Sequence, residues 1–182
     1  MNDSKNLWTR FLLAWILANG FGWFSISAIY ILPYWGPWAT FGVSTVLSLF
    51  QWIVLQKYFE VDFTWLWVSP LVYGFFLYFL FSLKLEISSF AFIILNIICL
   101  GFLGLLQRYA LDYYIDNATA WIFVSPFACA ISMFIAREMT NLFAHQSFVA
   151  FWTSSGILYG FITGISTISI QGSSSLNRPE IQ

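Results

Sequence analysis

Long apolar stretches alternate with short polar breaks along the whole chain. A helix needs about 20 mostly apolar residues to cross the hydrocarbon core of a bilayer. Six stretches meet that requirement, over residues 8–31, 37–56, 63–83, 87–107, 119–136 and 147–170. Proline, glycine or charged residues occupy the breaks, as is typical of turns. The pattern predicts an all-α polytopic membrane protein with about six transmembrane helices.

The composition agrees with a bilayer as the surrounding medium. Of 182 residues, 60% are hydrophobic and 8% are charged, whereas soluble domains carry about 25% charged residues. The net charge of −1 gives no sign of a nucleic-acid partner. We expect one transmembrane domain over residues 1–170, in contact with lipid, and a polar, disordered tail over 171–182.

The positive charges are divided unequally between the two predicted sides of the membrane. One side holds the N-terminus, the second and fourth loops and the C-terminus, with Lys5, Arg10, Lys57, Arg108 and Arg178. The other side holds Lys84 and Arg137. Because loops rich in lysine and arginine stay in the cytoplasm, we expect both termini to be cytoplasmic.

An internal repeat relates the predicted helices. Residues 49–70 and 105–126 align without a gap at an offset of 56. The identical pairs are Leu49/Leu105, Gln51/Gln107, Leu55/Leu111, Tyr58/Tyr114, Trp65/Trp121, Val68/Val124, Ser69/Ser125 and Pro70/Pro126. They include tryptophan, glutamine and proline, so apolar composition alone does not account for the match.

The repeat extends weakly to both ends of the chain. A second offset of 56 carries Gly104 to Gly160, and a shorter offset of 50 carries Trp15 to Trp65. Three tandem helical hairpins result, over about 8–56, 63–107 and 119–170. Repeats of the same topology are related by an axis along the membrane normal, which predicts a pseudo-threefold parallel repeat. The equivalent sets are Trp15, Trp65 and Trp121 on odd helices, and Gln51, Gln107 and Thr163 with Ser48, Gly104 and Gly160 on even helices.

Two motifs of the first hairpin are specific enough to compare with known sequences. They are Trp15-x-x-Ala18-Asn19-x-x-Gly22-Trp23 and Ser44-x-x-x-Ser48-x-x-Gln51-Trp52-x-x-Leu55. They resemble the signatures of uncharacterised small membrane proteins, largely cyanobacterial, that alternate a Trp-led helix with a Gly-x-x-x-Gly-x-x-Gln-Trp-x-x-Leu-Arg helix. The resemblance covers most of the chain, which differs by serine for glycine in the second helix and by Ser-Pro in the third and fifth.

The resemblance implies a fold and a setting, and no activity. The membrane would be the thylakoid or plasma membrane of a bacterium. The host would be a photosynthetic complex, with chlorophyll, carotenoid or lipid as the bound molecule.

Three polar residues recur within the apolar stretches. Gln51, Gln107 and Thr163 are expected at similar depth, toward the cytoplasmic ends of the second, fourth and sixth helices. One interpretation is hydrogen bonding between helices, worth about 0.6–2 kcal/mol per contact. The alternative is a cofactor-binding polar cluster that holds a ligand headgroup or an ordered water.

His145 is the only histidine and falls at the expected start of the sixth helix. It is either an interfacial polar residue or the axial ligand of a single chlorophyll. One histidine with the scattered Cys99 and Cys129 does not form a tetrahedral zinc site. The chain also lacks a phosphate-binding glycine loop and a His-Glu-x-x-His motif, so we expect neither a metal site nor an enzyme.

Small residues and prolines shape the predicted helices. Serines and glycines spaced by three or four residues let helices approach closely. The sets are Ser44 and Ser48, Gly101 and Gly104, and Gly156, Gly160 and Gly164. Pro70 and Pro126 each remove a backbone donor within a helix, which predicts paired kinks.

These features favour a non-enzymatic integral membrane subunit. It would dock on or scaffold a larger membrane complex through its aromatic and small-residue helix faces, with other membrane-protein subunits as partners. The alternative is a transporter or binding protein for a neutral or apolar small molecule, using the pseudo-symmetric centre of the bundle.

Overall fold

The computed structural model describes residues 2–31, 38–82, 89–115, 117–142 and 148–175. Within these ranges the chain is helical apart from short connections, and no strand occurs, which confirms the all-α prediction. The helices are α1 (Asn2–Ile31), α2 (Ala39–Phe59), α3 (65–82), α4 (Ser89–Leu111), α5 (Trp121–Leu142) and α6 (Phe148–Ser175). A short 3₁₀ turn, Ala118–Ala120, leads into α5.

Four helical stretches among the described residues are long and apolar enough to cross a membrane. They are Ala39–Phe59, Ile94–Leu111, Ala118–Met139 and Val149–Gln171. Every helix also exposes large hydrophobic side chains on its outer surface, for example Leu17, Ile53, Phe79, Ile98, Phe127 and Phe161. Exposed apolar surface of this extent is unfavourable in water, so the helices indicate an integral membrane protein that contacts the lipid bilayer.

The helices follow one another around a closed ring. Each packs against its neighbours in sequence, and α1 also packs extensively against α6. Among the described residues, contacts between α3 and α4 are the sparsest of the ring. The ring therefore has a tight seam between α1 and α6, and a loose seam between α3 and α4.

Glycines on α6 account for the tight seam. A Cβ atom added at Gly156 would lie 2.5 Å from Cβ of Trp23 and 2.7 Å from the carbonyl oxygen of Asn19. A Cβ atom added at Gly160 would lie 3.0 Å from Cα of Ile16. Only glycine allows the two backbones to approach this closely, as small residues do in many membrane helix pairs.

The two prolines have different effects on their helices. Pro70 begins a π-helical turn, Pro70–Gly74, between the α-helical segments Trp65–Ser69 and Phe75–Ser82 of α3. Pro126 lies within α5, which is α-helical throughout. The matching sequences around these prolines thus give a π-turn in α3 alone. Thr40 on α2 donates to the carbonyl oxygen of Gly74 over 3.1 Å, and this side-chain bond accompanies the altered backbone pattern of α3.

The end of α6 differs from the prediction. The helix continues through Ser175, so residues 171–175, which the sequence analysis assigns to the tail, extend α6. A polar composition does not by itself end a helix, and the first proline after α6 is Pro179. The rest of the predicted tail, 176–182, lies outside the described residues.

Candidate functional site

Each of the six helices contributes one buried polar residue to a layer inside the ring. We call this layer the polar belt: Asn19, Gln51, Ser69, Gln107, Ser125 and Thr163, each at most 4% exposed. Residues four positions apart share one face of a helix, and apolar residues flank the belt at that spacing. One core cluster includes Trp15, Leu55, Trp65, Leu111 and Trp121, and the other includes Trp23, Leu47, Tyr73, Leu103 and Tyr159. The belt lies between these clusters.

Three buried tryptophans meet directly beside the belt. The ring centroid of Trp121 lies 6.2 Å from that of Trp15 and 6.5 Å from that of Trp65, in edge-to-face geometry. Each is located one helical turn before the belt residue of its own helix. These rings fill the interior of the bundle at this level, and such pairs add stability beyond the area they bury.

Two of these tryptophans donate hydrogen bonds to belt residues on neighbouring helices. Trp15 Nε1 donates to Thr163 Oγ1 over 2.9 Å, and Trp121 Nε1 donates to Gln107 Oε1 over 2.8 Å. The indole of Trp65, which is fully buried, has no hydrogen-bond partner among the described residues. The three tryptophans therefore share a location and differ in hydrogen bonding.

Amide side chains join further pairs of helices within the belt. Gln51 Nε2 donates to Asn19 Oδ1 over 2.8 Å, and Asn19 Nδ2 donates to the carbonyl oxygen of Trp15 over 2.9 Å. Gln107 Nε2 lies 3.5 Å from Ser69 Oγ, which makes a long and weak bond. The belt thus connects α1 to α2 and α3 to α4 through amide groups.

The belt is completed between α5 and α6 by an aromatic hydroxyl. Ser125 Oγ and the hydroxyl of Tyr159 lie 2.7 Å apart. Thr163 Oγ1 also donates to the carbonyl oxygen of Tyr159 on its own helix over 2.7 Å. Pairing of this kind offsets the cost of burying polar groups in an apolar interior.

A small cavity of about 10 Å³ lies at the centre of the ring. It is lined by Trp23, Leu47, Gln51, Ser69, Tyr73, Leu100, Leu103, Gln107 and Tyr159. Gln51 Oε1 is buried and has no hydrogen-bond partner within the described part of the chain. The cavity therefore combines a polar wall with one unsatisfied acceptor.

A larger groove of about 530 Å³ lies at the loose seam between α3 and α4. Its walls are Leu71, Val72, Phe75, Phe76, Leu95, Ile98, Cys99, Phe102 and Leu106. The volume falls within the roughly 300–1,000 Å³ of small-molecule sites. Because the walls are apolar, only hydrocarbon surface fits this groove well.

The predicted site residues have different surroundings. Gln51, Gln107 and Thr163 all belong to the belt, but only the two glutamines are among the residues that line the central cavity, whereas Thr163 is bonded to Trp15. His145 lies outside the described residues. In the residues that the structure covers, no group of three or more His, Cys, Asp or Glu side chains is placed to hold a metal ion.

Sequence reasoning missed four residues of this site. Asn19, Ser69 and Ser125 each follow an aligned tryptophan by four positions, so the repeat already carried the signal for the odd-helix half of the belt. Tyr159 aligns with Leu103 at an offset of 56, and no pattern in the sequence marks it as polar lining.

Comparison with family models, with curated proteins and with solved structures finds no match for this chain.

Proposed function

We propose that this protein is a non-enzymatic membrane subunit that docks on or scaffolds a larger membrane complex. One observation carries the proposal. In the described part of the chain, tryptophans and hydrogen-bonded polar residues fill the bundle at the level of the belt, and the cavity lined by Gln51 and Gln107 measures about 10 Å³, while large hydrophobic side chains lie on the outside of every helix. The surface available for interaction is thus the outer, apolar surface.

The proposed subunit has six transmembrane helices in three hairpins, with both termini in the cytoplasm. Equivalent contacts support the threefold register. Trp121 donates to Gln107 as Trp15 donates to Thr163. The two aligned glycines also have equivalent surroundings. A Cβ atom added at Gly104 would lie 3.3 Å from the carbonyl oxygen of Trp121, and one added at Gly160 would lie 3.2 Å from the carbonyl oxygen of Trp15.

The groove between α3 and α4 is the proposed site for an apolar molecule. Its chemistry selects a long hydrocarbon chain, which a carotenoid, the tail of a chlorophyll and a lipid all provide. The resemblance to cyanobacterial membrane proteins is the basis for proposing the host, which is a photosynthetic complex in a thylakoid or plasma membrane. In this proposal the groove binds the hydrocarbon chain of the apolar molecule, and the outer faces of the helices bind neighbouring subunits.

The second candidate is a transporter or binding protein for a neutral small molecule. The polar lining of the central cavity, with Gln51 and Gln107, favours it. A solute larger than water does not fit that cavity, and passage through the centre would separate the tryptophans from Gln107 and Thr163. The scaffold role agrees better with a filled interior.

Gentle purification tests the proposal directly. The wild-type protein, extracted in mild detergent, is expected to migrate with pigment-containing subunits and to carry a hydrocarbon molecule. Absorbance identifies chlorophyll or carotenoid, and mass spectrometry identifies lipid. A colourless monomer that binds a neutral solute would instead support the transporter.

A pair of variants locates the bound molecule. Ile98→Trp places a large ring in the groove, and it is expected to reduce the co-purifying hydrocarbon several-fold. Ile131→Trp makes the same change on the outer surface of α5, where the side chain is also exposed, and it should retain the wild-type amount. Equal retention by both variants would place the molecule elsewhere.

A further inference from the structure

A buried polar pair crosses the loose seam between α3 and α4. The hydroxyl of Tyr73 donates a hydrogen bond to Asn96 Oδ1 over 3.0 Å, and both side chains are buried. Gln107 and Ser69 also face each other across this seam, but their separation of 3.5 Å makes a weak bond. The Tyr73–Asn96 pair is therefore the stronger of these two polar links between the helices.

The backbone that carries Tyr73 departs from regular α-helix. Tyr73 lies in the π-turn Pro70–Gly74, and π-turns are rare and frequently occur at functional sites. On the α2 side, Thr40 donates to the carbonyl oxygen of Gly74 over 3.1 Å, and Cδ1 of Phe41 would lie 2.9 Å from a Cβ atom added at Gly74. Because the turn is held closely against α2, a movement at the loose seam would separate α4 from α3 and leave α2 in place.

The π-turn lies between two spaces of the bundle. Leu71 and Val72 line the apolar groove, whereas Tyr73, the next residue, lines the small cavity at the centre of the ring. The ring centroid of Tyr73 lies 6.0 Å from that of Phe76, which is also a wall residue of the groove. Separation of α3 from α4 at this point would therefore join the groove to the cavity.

The internal repeat does not reproduce this pair. At the offset of 56, Tyr73 aligns with Cys129 and Asn96 aligns with Trp152. A tryptophan side chain has no oxygen that can accept a hydrogen bond, so the same bond cannot form between α5 and α6. The pair thus occurs at the seam where packing between the described residues is sparsest, and not at its repeat equivalent.

We propose that the α3–α4 seam is a lateral opening of the ring, and that the Tyr73–Asn96 hydrogen bond is the latch that holds it closed. With the bond formed, Tyr73 separates the central cavity from the groove and the surrounding lipid. With the bond broken, α4 moves away from α3 and the cavity opens toward the bilayer. The latch is a property of the ring itself, and it rests neither on the scaffold role nor on the molecule that the groove binds.

The reaction of Cys99 with a membrane-soluble maleimide measures the opening. Cys99 lines the groove and is only 8% exposed, so the reagent reaches its thiol when α3 and α4 separate. Cys129 on α5 is fully buried and reports general loosening of the bundle in the same sample. The purified full chain in micelles is labelled for increasing times, and mass spectrometry of its peptides gives the rate at each cysteine.

Removal of one hydroxyl group tests the latch. Tyr73→Phe keeps the ring and removes the donor, and loss of one hydrogen bond between membrane helices is expected to raise the Cys99 rate about 3- to 20-fold, with the Cys129 rate nearly unchanged. Tyr159→Phe is the matched control, because it removes another buried tyrosine hydroxyl, the one paired with Ser125, and it should leave the Cys99 rate unchanged. A wild-type Cys99 rate in Tyr73→Phe overturns the proposal, as does an equal rise at both cysteines.

A change of the acceptor tests the pairing. Asn96→Leu is expected to raise the Cys99 rate, and the addition of Tyr73→Phe to this variant should cause no further increase, because one bond is lost only once. Increases that multiply in the double variant would show that the two residues act independently, and would contradict the latch.

The outcome can be distinguished from failure of the scaffold role. A protein that assembles with no partner but opens faster without the Tyr73 hydroxyl contradicts only the scaffold. A protein that co-purifies with a complex but reacts equally with and without that hydroxyl contradicts only the latch.

Discussion

Trp15 Nε1 donates a hydrogen bond to Thr163 Oγ1 over 2.9 Å, and this bond joins the first helix of the ring to the last. Both residues are fully buried. Their partnership closes the ring at the level of the polar belt, directly beside the close approach of α1 to the glycines of α6. The bond thus joins α1 to α6 at the tightest seam of the bundle.

The Trp15–Thr163 bond is expected to contribute measurable coupling. Trp15→Phe removes the donor, Thr163→Val removes the acceptor, and the double variant completes a cycle. Hydrogen bonds between membrane helices contribute about 0.6 kcal/mol on average and up to about 1.7, so we expect a coupling energy in this range. Unfolding in a graded series of denaturing detergent gives the free energies. Thr45→Val makes the same chemical change as Thr163→Val at an exposed position on α2, and it serves as the control for that single variant. A coupling energy of zero between Trp15 and Thr163 would contradict the bond.

Glycine substitutions on α6 are expected to loosen the α1–α6 seam. Gly156→Ala places a Cβ atom 2.5 Å from that of Trp23, and overpacking of this kind costs about 1–3 kcal/mol of the free energy of unfolding. Gly101→Ala is the matched control, because a Cβ atom there meets no described atom within 4 Å. The control should stabilise α4 by roughly 0.5–1 kcal/mol, since alanine favours helix more than glycine does. Similar effects of the two changes would rule out the close approach.

Gln107→Leu is expected to destabilise the bundle. It deprives the buried Trp121 indole of its acceptor, and an unsatisfied buried donor costs about 1–3 kcal/mol. Gln56→Leu makes the same chemical change at an exposed position of α2 and should leave the free energy of unfolding nearly unchanged. The same detergent titration compares them, and equal stability of both variants would exclude an energetic role for the belt at this position.

Labelling of single cysteines tests the six-helix topology. With Cys99 and Cys129 replaced by alanine, cysteine is introduced at Asn6, Asp62 or Arg137, one position per variant. A reagent that does not cross membranes should reach the Arg137 position from outside intact cells. The other two positions should react only after permeabilisation, because both are expected to be cytoplasmic. Labelling of positions 6 and 62 from opposite sides would mean that one of the first two helices does not span.

The hydropathy pattern determined much of the fold. Apolar runs long enough to span a bilayer have few alternatives to helix, since backbone polar groups in lipid must be satisfied within the segment. For this reason the all-helical structure and the approximate positions of α1 to α6 were predictable. The ends of α6 and the π-turn of α3 were not, because hydropathy does not record where backbone hydrogen bonding shifts.

The repeat also identified half of the polar belt. Gln51, Gln107 and Thr163 stood out because polar residues within apolar stretches are rare. Ser69 and Ser125 were equally visible in the alignment, but serine satisfies its own helix backbone so readily that its role between helices depends on the neighbouring chain.

The sequence by itself therefore determined the helices, their order and the repeated positions of tryptophan, glutamine and glycine. Only the tertiary structure decided which of these residues are partners. Within the part of the chain that the structure describes, Trp15 and Trp121 have acceptors and Trp65 has none, although the three are equivalent in the alignment. The physical reason is distance: a hydrogen bond forms within a few tenths of an ångström of its ideal length, and the spacing of two helices is set by every side chain between them.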